Sequence, residues 1–324
     1  MRTVTEVEVA RKLASLSTRE IVDALGLNRR SRFRAALVRL AARRASARLG
    51  RKLARFDALV GKDGIARAAE ATLNKLGARF DVIGGLPDVG PVANGPVLVV
   101  TNHPGAFDAL ALMASIARRD TFLLANDREF LRAMPHVSKH LVFIPDGAVA
   151  RAAAFRRARK LLAARAVLIH FGAGAIEPDV RFGDRELLLP SWPPGTGALA
   201  LATVRAGGIV VPAFIAGVHS PRAKRLAIVR WAERRGVTTV APLVQATLPG
   251  FDDVQVSIAF GAPLERRMLV SASTVIEQTA VVHAAVAALG QSISTRWNSS
   301  MDADQEGSAA PAREAASMSR ARLG

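Results

Sequence analysis

The chain has no cysteine, which excludes disulfides, thiolate metal sites and a thiol nucleophile and fits a reducing compartment. Acids are few: 27 Asp and Glu stand against 45 Lys and Arg, for a formal net charge of +18. Such a surface attracts polyanions, either nucleic acid or an anionic membrane face, and charge alone does not choose between them. No apolar run approaches the ~18–20 residues of a spanning helix, so none is expected. The opening MRTVTEVEVARKLASL carries charges throughout and no apolar core, so a secretory signal is not expected either. Half of the 324 residues are hydrophobic, enough for one large core or two modest domains.

Residues 5–80 read as a basic helical region. STREIVDALGL (17–27) opens on a Ser/Thr pair with an acid three residues after Ser17, the pattern of a capped helix start. Arg29 to Arg55 holds eleven basic residues and no acid. Within it Phe33, Leu37, Leu40, Leu49, Leu53 and Phe56 recur at spacings that suit one apolar stripe beneath a cationic face. Such a helix fits the solvated face of a bundle, a membrane-surface helix or a nucleic-acid contact. Phe33, Phe56 and Phe80 are the aromatics of this region, which leaves base stacking little to use, so nucleic acid is not the expected partner.

DVIGGLPDVGPVANGP (81–96) reads as a boundary loop. Beyond it, short β-type runs at 96–101, 121–126, 141–145, 166–171, 209–215 and 254–260 alternate with Ala-rich helical segments, and 271–297 reads as a last helix. This alternation predicts an α/β fold, a mostly parallel mixed sheet flanked by helices and preceded by the N-terminal helical region. The α/β domain is expected over 81–297. Residues 298–324 have almost no bulky apolar side chains and read as a disordered tail.

The run VLVVTNHPGAFDAL (97–110) passes from an apolar strand into Asn102-His103-Pro104-Gly105, with Asp108 following. A loop at the carboxyl end of a strand is where open α/β sheets place ligands. If a helix starts near Gly105, the loop can fold Asp108 onto one ring nitrogen of His103. The carboxylate would then fix the tautomer and leave the other nitrogen free as a base. No G-x-S-x-G and no metal-spaced histidine pair accompanies them. Base and orienter without a protein nucleophile suit deprotonation of a substrate hydroxyl or amine. A plain strand-to-helix turn is the other reading. His170 reads as a satisfied core or rim histidine, and His136, His140, His219 and His283 have no partner identifiable from sequence.

Asn102-His103-x4-Asp108 after an apolar strand resembles the glycerolipid acyltransferase family, which includes the lysophosphatidate acyltransferases. LVFIPDG (141–147), LIHFGAGAIEPD (168–179) and IVVPAFIAGV (209–218) resemble that family's later blocks in order. The resemblance implies an acyltransferase, one that transfers groups other than aminoacyl groups. It would move a fatty acyl group from acyl-CoA or acyl carrier protein, as co-substrate, to a hydroxyl or amine of a lysophospholipid-like or other lipid acceptor. It implies His103 as base, Asp108 as its orienting carboxylate, and a substrate site around Asn102, Gly105, Phe107, Phe143, Gly172, Gly174 and Glu177. It calls for no metal and no cofactor, and for a cytoplasmic protein held peripherally on the inner, anionic membrane face. Asp146 stands where the family usually has an arginine, and Gly172, Ala173, Ala175 and Ile176 replace its usual phosphate-holding block. Arg151, Arg156, Arg157 and Arg181 read as surface arginines that could also substitute; the alternative is an acceptor with no terminal phosphate. The alternative from another class is a non-catalytic protein that binds membrane or nucleic acid through the basic helices.

Overall fold

The computed structural model describes residues 4–24, 32–84, 95–182, 189–235, 237, 240–251 and 253–294. The expected tail (298–324), most of the 81–96 loop and residues 25–31 of the basic run lie outside the described residues. The chain begins with helices α1 (Val4–Ala24), α2 (Arg32–Asp63) and α3 (Ile65–Lys75). Six strands fall on the six β-type runs: β2 (Val97–Thr101), β3 (Thr121–Asn126), β4 (Leu141–Ile144), β5 (Val167–Phe171), β6 (Ile209–Ala216) and β7 (Gln255–Phe260). One more strand, β1 (Arg79–Ile83), corrects the sequence reading, which divided this stretch between helix and loop. Its sequence RFDVI is exposed or half-buried throughout, as befits an edge strand. Its partner β7 lies far along the chain, so no local pattern reveals it.

The sheet runs β1-β7-β6-β2-β5-β3-β4. All pairs are parallel except β6 with β7. The central strands are buried on both faces, which explains their unbroken apolar runs. Along β2, Val97 and Val99 join one core, while Leu98 and Val100 join the other. The first core is closed by the N-terminal helices and α4 (Ala106–Ile116). The second is closed by α6 (Ala148–Ala163), α7 (Gly195–Arg205) and a helix over 275–294. That last helix starts later than the expected 271, after the short α11 (Arg266–Ser271). Helix α5 is a single turn (Glu129–Arg132). The short helices α8 (Pro221–Arg225), α9 (Ala227–Glu233) and α10 (Val240–Thr247) build a small third cluster around Val229, Ala232 and Ala241.

Two details of the helical region differ from the sequence reading. Ser17 does not start a helix: α1 runs through it from Val4, and the Thr18 hydroxyl donates back to the Ala14 carbonyl (2.9 Å), which satisfies it in mid-helix. Leu40 does not join a buried stripe but is 68% exposed. The face of α2 that meets α1 is instead set by small residues. Ser46, Gly50 and Ala54 are buried one turn apart, and a Cβ on Gly50 would lie 2.5 Å from the Ala10 carbonyl oxygen and 2.8 Å from Ala14 N. The helices therefore touch backbone to backbone. Arg44, Arg48 and Arg51 are exposed on the opposite side, and Arg43 is exposed as well.

Candidate active site

Thr101 ends β2, and α4 begins at Ala106 after four intervening residues. Asp108 sits in the first turn of α4 and is fully buried. Its Oδ1 accepts the Ala109 N–H (2.6 Å), and its Oδ2 accepts both the Gly105 N–H (2.9 Å) and His103 Nδ1 (2.7 Å). An ionised carboxylate only accepts, so Nδ1 carries the proton and the lone pair lies on Nε2. Among the described residues, nothing hydrogen-bonds to Nε2, and the His103 side chain is 26% exposed. The remaining face of the ring stacks on Phe171, centroids 4.1 Å apart and planes 22° off parallel. Burial disfavours the imidazolium, but the Asp108 carboxylate outweighs it, with Glu177 adding to the effect. The pKa of His103 is therefore held above the ordinary histidine value.

Glu177 is 2% exposed, and both of its oxygens are engaged. Oε2 accepts the His103 backbone N–H (2.7 Å), and Oε1 accepts the Trp192 indole N–H (3.1 Å). The Glu177 N–H in turn donates to the His103 carbonyl (2.7 Å). Glu177 therefore grips the histidine's main chain from both sides, and burial pushes its own pKa up. Asn102 is also buried and saturated: its amide donates to the Ile215 carbonyl (2.9 Å) and accepts the Ile215 N–H (2.8 Å), which locks the end of β2 to β6. Both residues were expected to face substrate. In the structure they hold the loop that carries His103.

The other expected site residues spread along the carboxyl edge of the sheet. Phe107 is buried in α4 beside Asp108. Gly172 lies under the Trp192 ring, where any Cβ would come within 2.2 Å of it; its N–H bonds the Thr101 carbonyl (2.9 Å). Gly174 takes a left-handed φ of 67° with open space on its Cβ side and accepts the Asn126 amide (3.3 Å). Phe143 lies two strands beyond β5, half-buried beneath the Arg132 guanidinium, which stands 4.3 Å above its ring. It lines a hollow of about 330 Å³ with Pro145 and Arg157. A larger groove of about 570 Å³ separates α6 from α7. Neither hollow is lined by His103, whose side chain is 26% exposed.

Phe171 and Trp192 are neighbours of His103 and Glu177 that the sequence reading did not place beside them. Phe171 follows directly from register, since it is the Cα partner of Thr101 across β2 and β5. Trp192 is tied to Glu177 only by the fold. His170 is buried, bonds Thr196 Oγ1 (2.9 Å), and has its pKa lowered to about 4 by burial, as a satisfied core histidine. His136 pairs with Asp57 (3.0 Å), which also accepts the N–H groups of His136 and Val137 (both 2.8 Å). This second His–Asp pair joins α2 to the turn before β4.

No model of a known protein family matches the chain, and no curated protein matches it. Among solved structures, the 1-acyl-sn-glycerophosphate (LPA) acyltransferase PlsC from Thermotoga maritima is similar, at 16% sequence identity and a TM-score of 0.46, over 90% of this chain and 95% of that one. A likeness at that level assigns no chemistry to individual residues, and the reading of the site rests on the geometry of His103 and Asp108.

Proposed function

We propose that the protein is an acyltransferase that passes a fatty acyl group from a thioester, acyl-CoA or acyl carrier protein, to a hydroxyl or amine of a lysophospholipid-like or other lipid acceptor. One observation carries this reading: a 2.7 Å bond from Nδ1 of His103 to buried Asp108, with Nε2 unengaged on a partly exposed ring. Nε2 takes the proton of the acceptor as its oxygen or nitrogen attacks the thioester carbonyl. Asp108 stabilises the imidazolium that forms. As the tetrahedral intermediate collapses, the carbon–sulfur bond breaks, and the imidazolium returns its proton to the leaving thiolate. Glu177 and Phe171 hold the ring in place, one by its main chain and the other by its face. Thioester chemistry of this kind asks for no metal or cofactor. The cationic face of α2 would hold the enzyme peripherally on the inner membrane face, where lipid acceptors reside.

Radiolabelled palmitoyl-CoA and lysophosphatidate, with other lysolipids in parallel, test the reading. His103→Ala should lower turnover about 10²–10⁴-fold while the protein stays folded, the range of a positioned base. The base must be neutral to act, and its pKa is raised. The acid limb of kcat/KM should therefore lie above the ordinary histidine value of 6.5. Equal turnover in wild type and variant would end the assignment.

A further inference from the structure

Gly105 closes the loop between His103 and Asp108, and its N–H shares Asp108 Oδ2 with the imidazole. What holds Gly105 comes from the far end of β6. A Cβ on Gly105 would lie 3.2 Å from Val218 Cγ2 and 3.3 Å from Cε1 of His219. The edge of a second imidazole thus stands beside the Gly105 backbone, where a side chain would begin. His219 is 5% exposed and fixed at two points. Its N–H and that of Gly217 donate to buried Asp179 (3.1 and 2.9 Å). Its Nδ1 meets Oε1 of Gln245 (3.3 Å), while Gln245 Nε2 donates to the Val218 carbonyl (3.0 Å). Because that carbonyl only accepts, the amide orientation is set, and Nδ1 of His219 must be the donor. Gln245 is itself 4% exposed, on α10. The next residue's carbonyl accepts Lys52 Nζ of α2 (3.0 Å).

We infer that His219, braced by Gln245 and Asp179, is a positioning residue for the catalytic pair: its ring edge fixes Gly105, and Gly105 fixes the carboxylate that orients His103. The inference rests on the acyl-transfer reading for its kinetic consequence, but not for its structural one. His219 touches neither proton nor thioester. It sets how closely Asp108 engages the base.

The test uses the full-length chain. In His219→Ala the loop loses its backing, so the bond from Asp108 to His103 lengthens. The His103 ring titration is followed by NMR and identified by its absence in His103→Ala. It should move down by at least half a unit, since Asp108 and Glu177 are the charged groups that raise it. Turnover of palmitoyl-CoA with lysophosphatidate should fall about tenfold or more in kcat with KM little changed, as for an interaction made in the transition state. Gly105→Ala supplies the complement. Alone, its methyl is crowded by Val218 and His219 and should lower kcat; in the His219→Ala background only the Val218 contact remains. The double variant should therefore lose less than the product of the two single losses. A folded His219→Ala with an unmoved His103 titration, or losses that simply multiply, would overturn the inference. A shifted titration in a protein whose wild type transfers no acyl group would keep the positioning role and remove the acyltransferase reading. Activity with an unmoved titration would do the reverse.

Discussion

Two histidines of this protein, one on β5 and one in the loop after β2, are tuned in opposite directions. His170 is the register partner of Val100, three residues before His103. His103 points into a loop with a carboxylate and is raised, whereas His170 points into the second core with only a threonine hydroxyl and is lowered to about 4. The second shift has a consequence for stability. Between pH 6.5 and about 4 the unfolded chain binds a proton at His170 that the native state refuses. Stability is therefore intact above the unfolded value and lost as pH falls toward 4, by roughly 3 kcal/mol at the lower end. His170→Gln should shrink the difference in urea-unfolding free energy between about pH 7 and about pH 4.5. An unchanged difference would mean that His170 does not titrate on unfolding.

At the scale of elements, the pairing of α1 with α2 depends on an absence of side chain. A Cβ at Gly50 meets backbone of α1 on two sides, at 2.5 and 2.8 Å, and backbone cannot step aside as a flexible side chain can. Gly50→Ala gains about 1 kcal/mol of helix propensity, yet the crowding forces the helices apart at a cost of about 1–3 kcal/mol. The variant should unfold at lower denaturant, with a larger loss for Gly50→Leu. A more stable Gly50→Ala would show that the two helices are not this close. The same elements show what was legible. The five inner strands declare themselves because burial on two faces demands continuous apolar runs, and the edge strand β4 does so because LVFI is apolar throughout. β1 does not, because RFDVI at the edge mixes Arg79 and Asp81 with apolar residues, and Asp81 finds its partner in Ser257 (3.0 Å) on β7. The small-residue contact of α2 was hidden for a related reason: the eye follows leucines, and Leu40 turned out to be solvent-facing.

For the whole molecule, charge and topology have separate consequences. The excess of 18 positive charges is a property of the surface, and on α2 it includes the exposed Arg43, Arg44, Arg48 and Arg51. Among the described residues, no helix is long and apolar enough to cross a membrane; the peripheral attachment proposed above would use these arginines. Replacing those four arginines by Gln should weaken sedimentation with phosphatidylglycerol vesicles by about 1 kcal/mol each at low salt. Neutral vesicles should show no such change, and added salt should erase the difference. Equal binding to both vesicle types would assign the arginines to plain solvation.

The amino-acid order alone determined the α/β class, the place of six strands, and the loop in which a histidine and an aspartate stand five residues apart. These follow from local rules: period, burial on two faces, and the break from strand to helix. It also sufficed to propose that Asp108 would hold one ring nitrogen of His103 and leave the other free; the fold decided that the held one is Nδ1. Only the folded chain decided that Asn102 and Glu177 hold the loop, that Phe171 backs the ring, and that Trp192 covers Gly172. The same holds for His219, which reaches Gly105 from the end of β6. Each of those partners is brought in by strand pairing or helix docking across dozens of residues. Distances of that kind are set by the packing of two cores against one sheet, which no window of sequence contains.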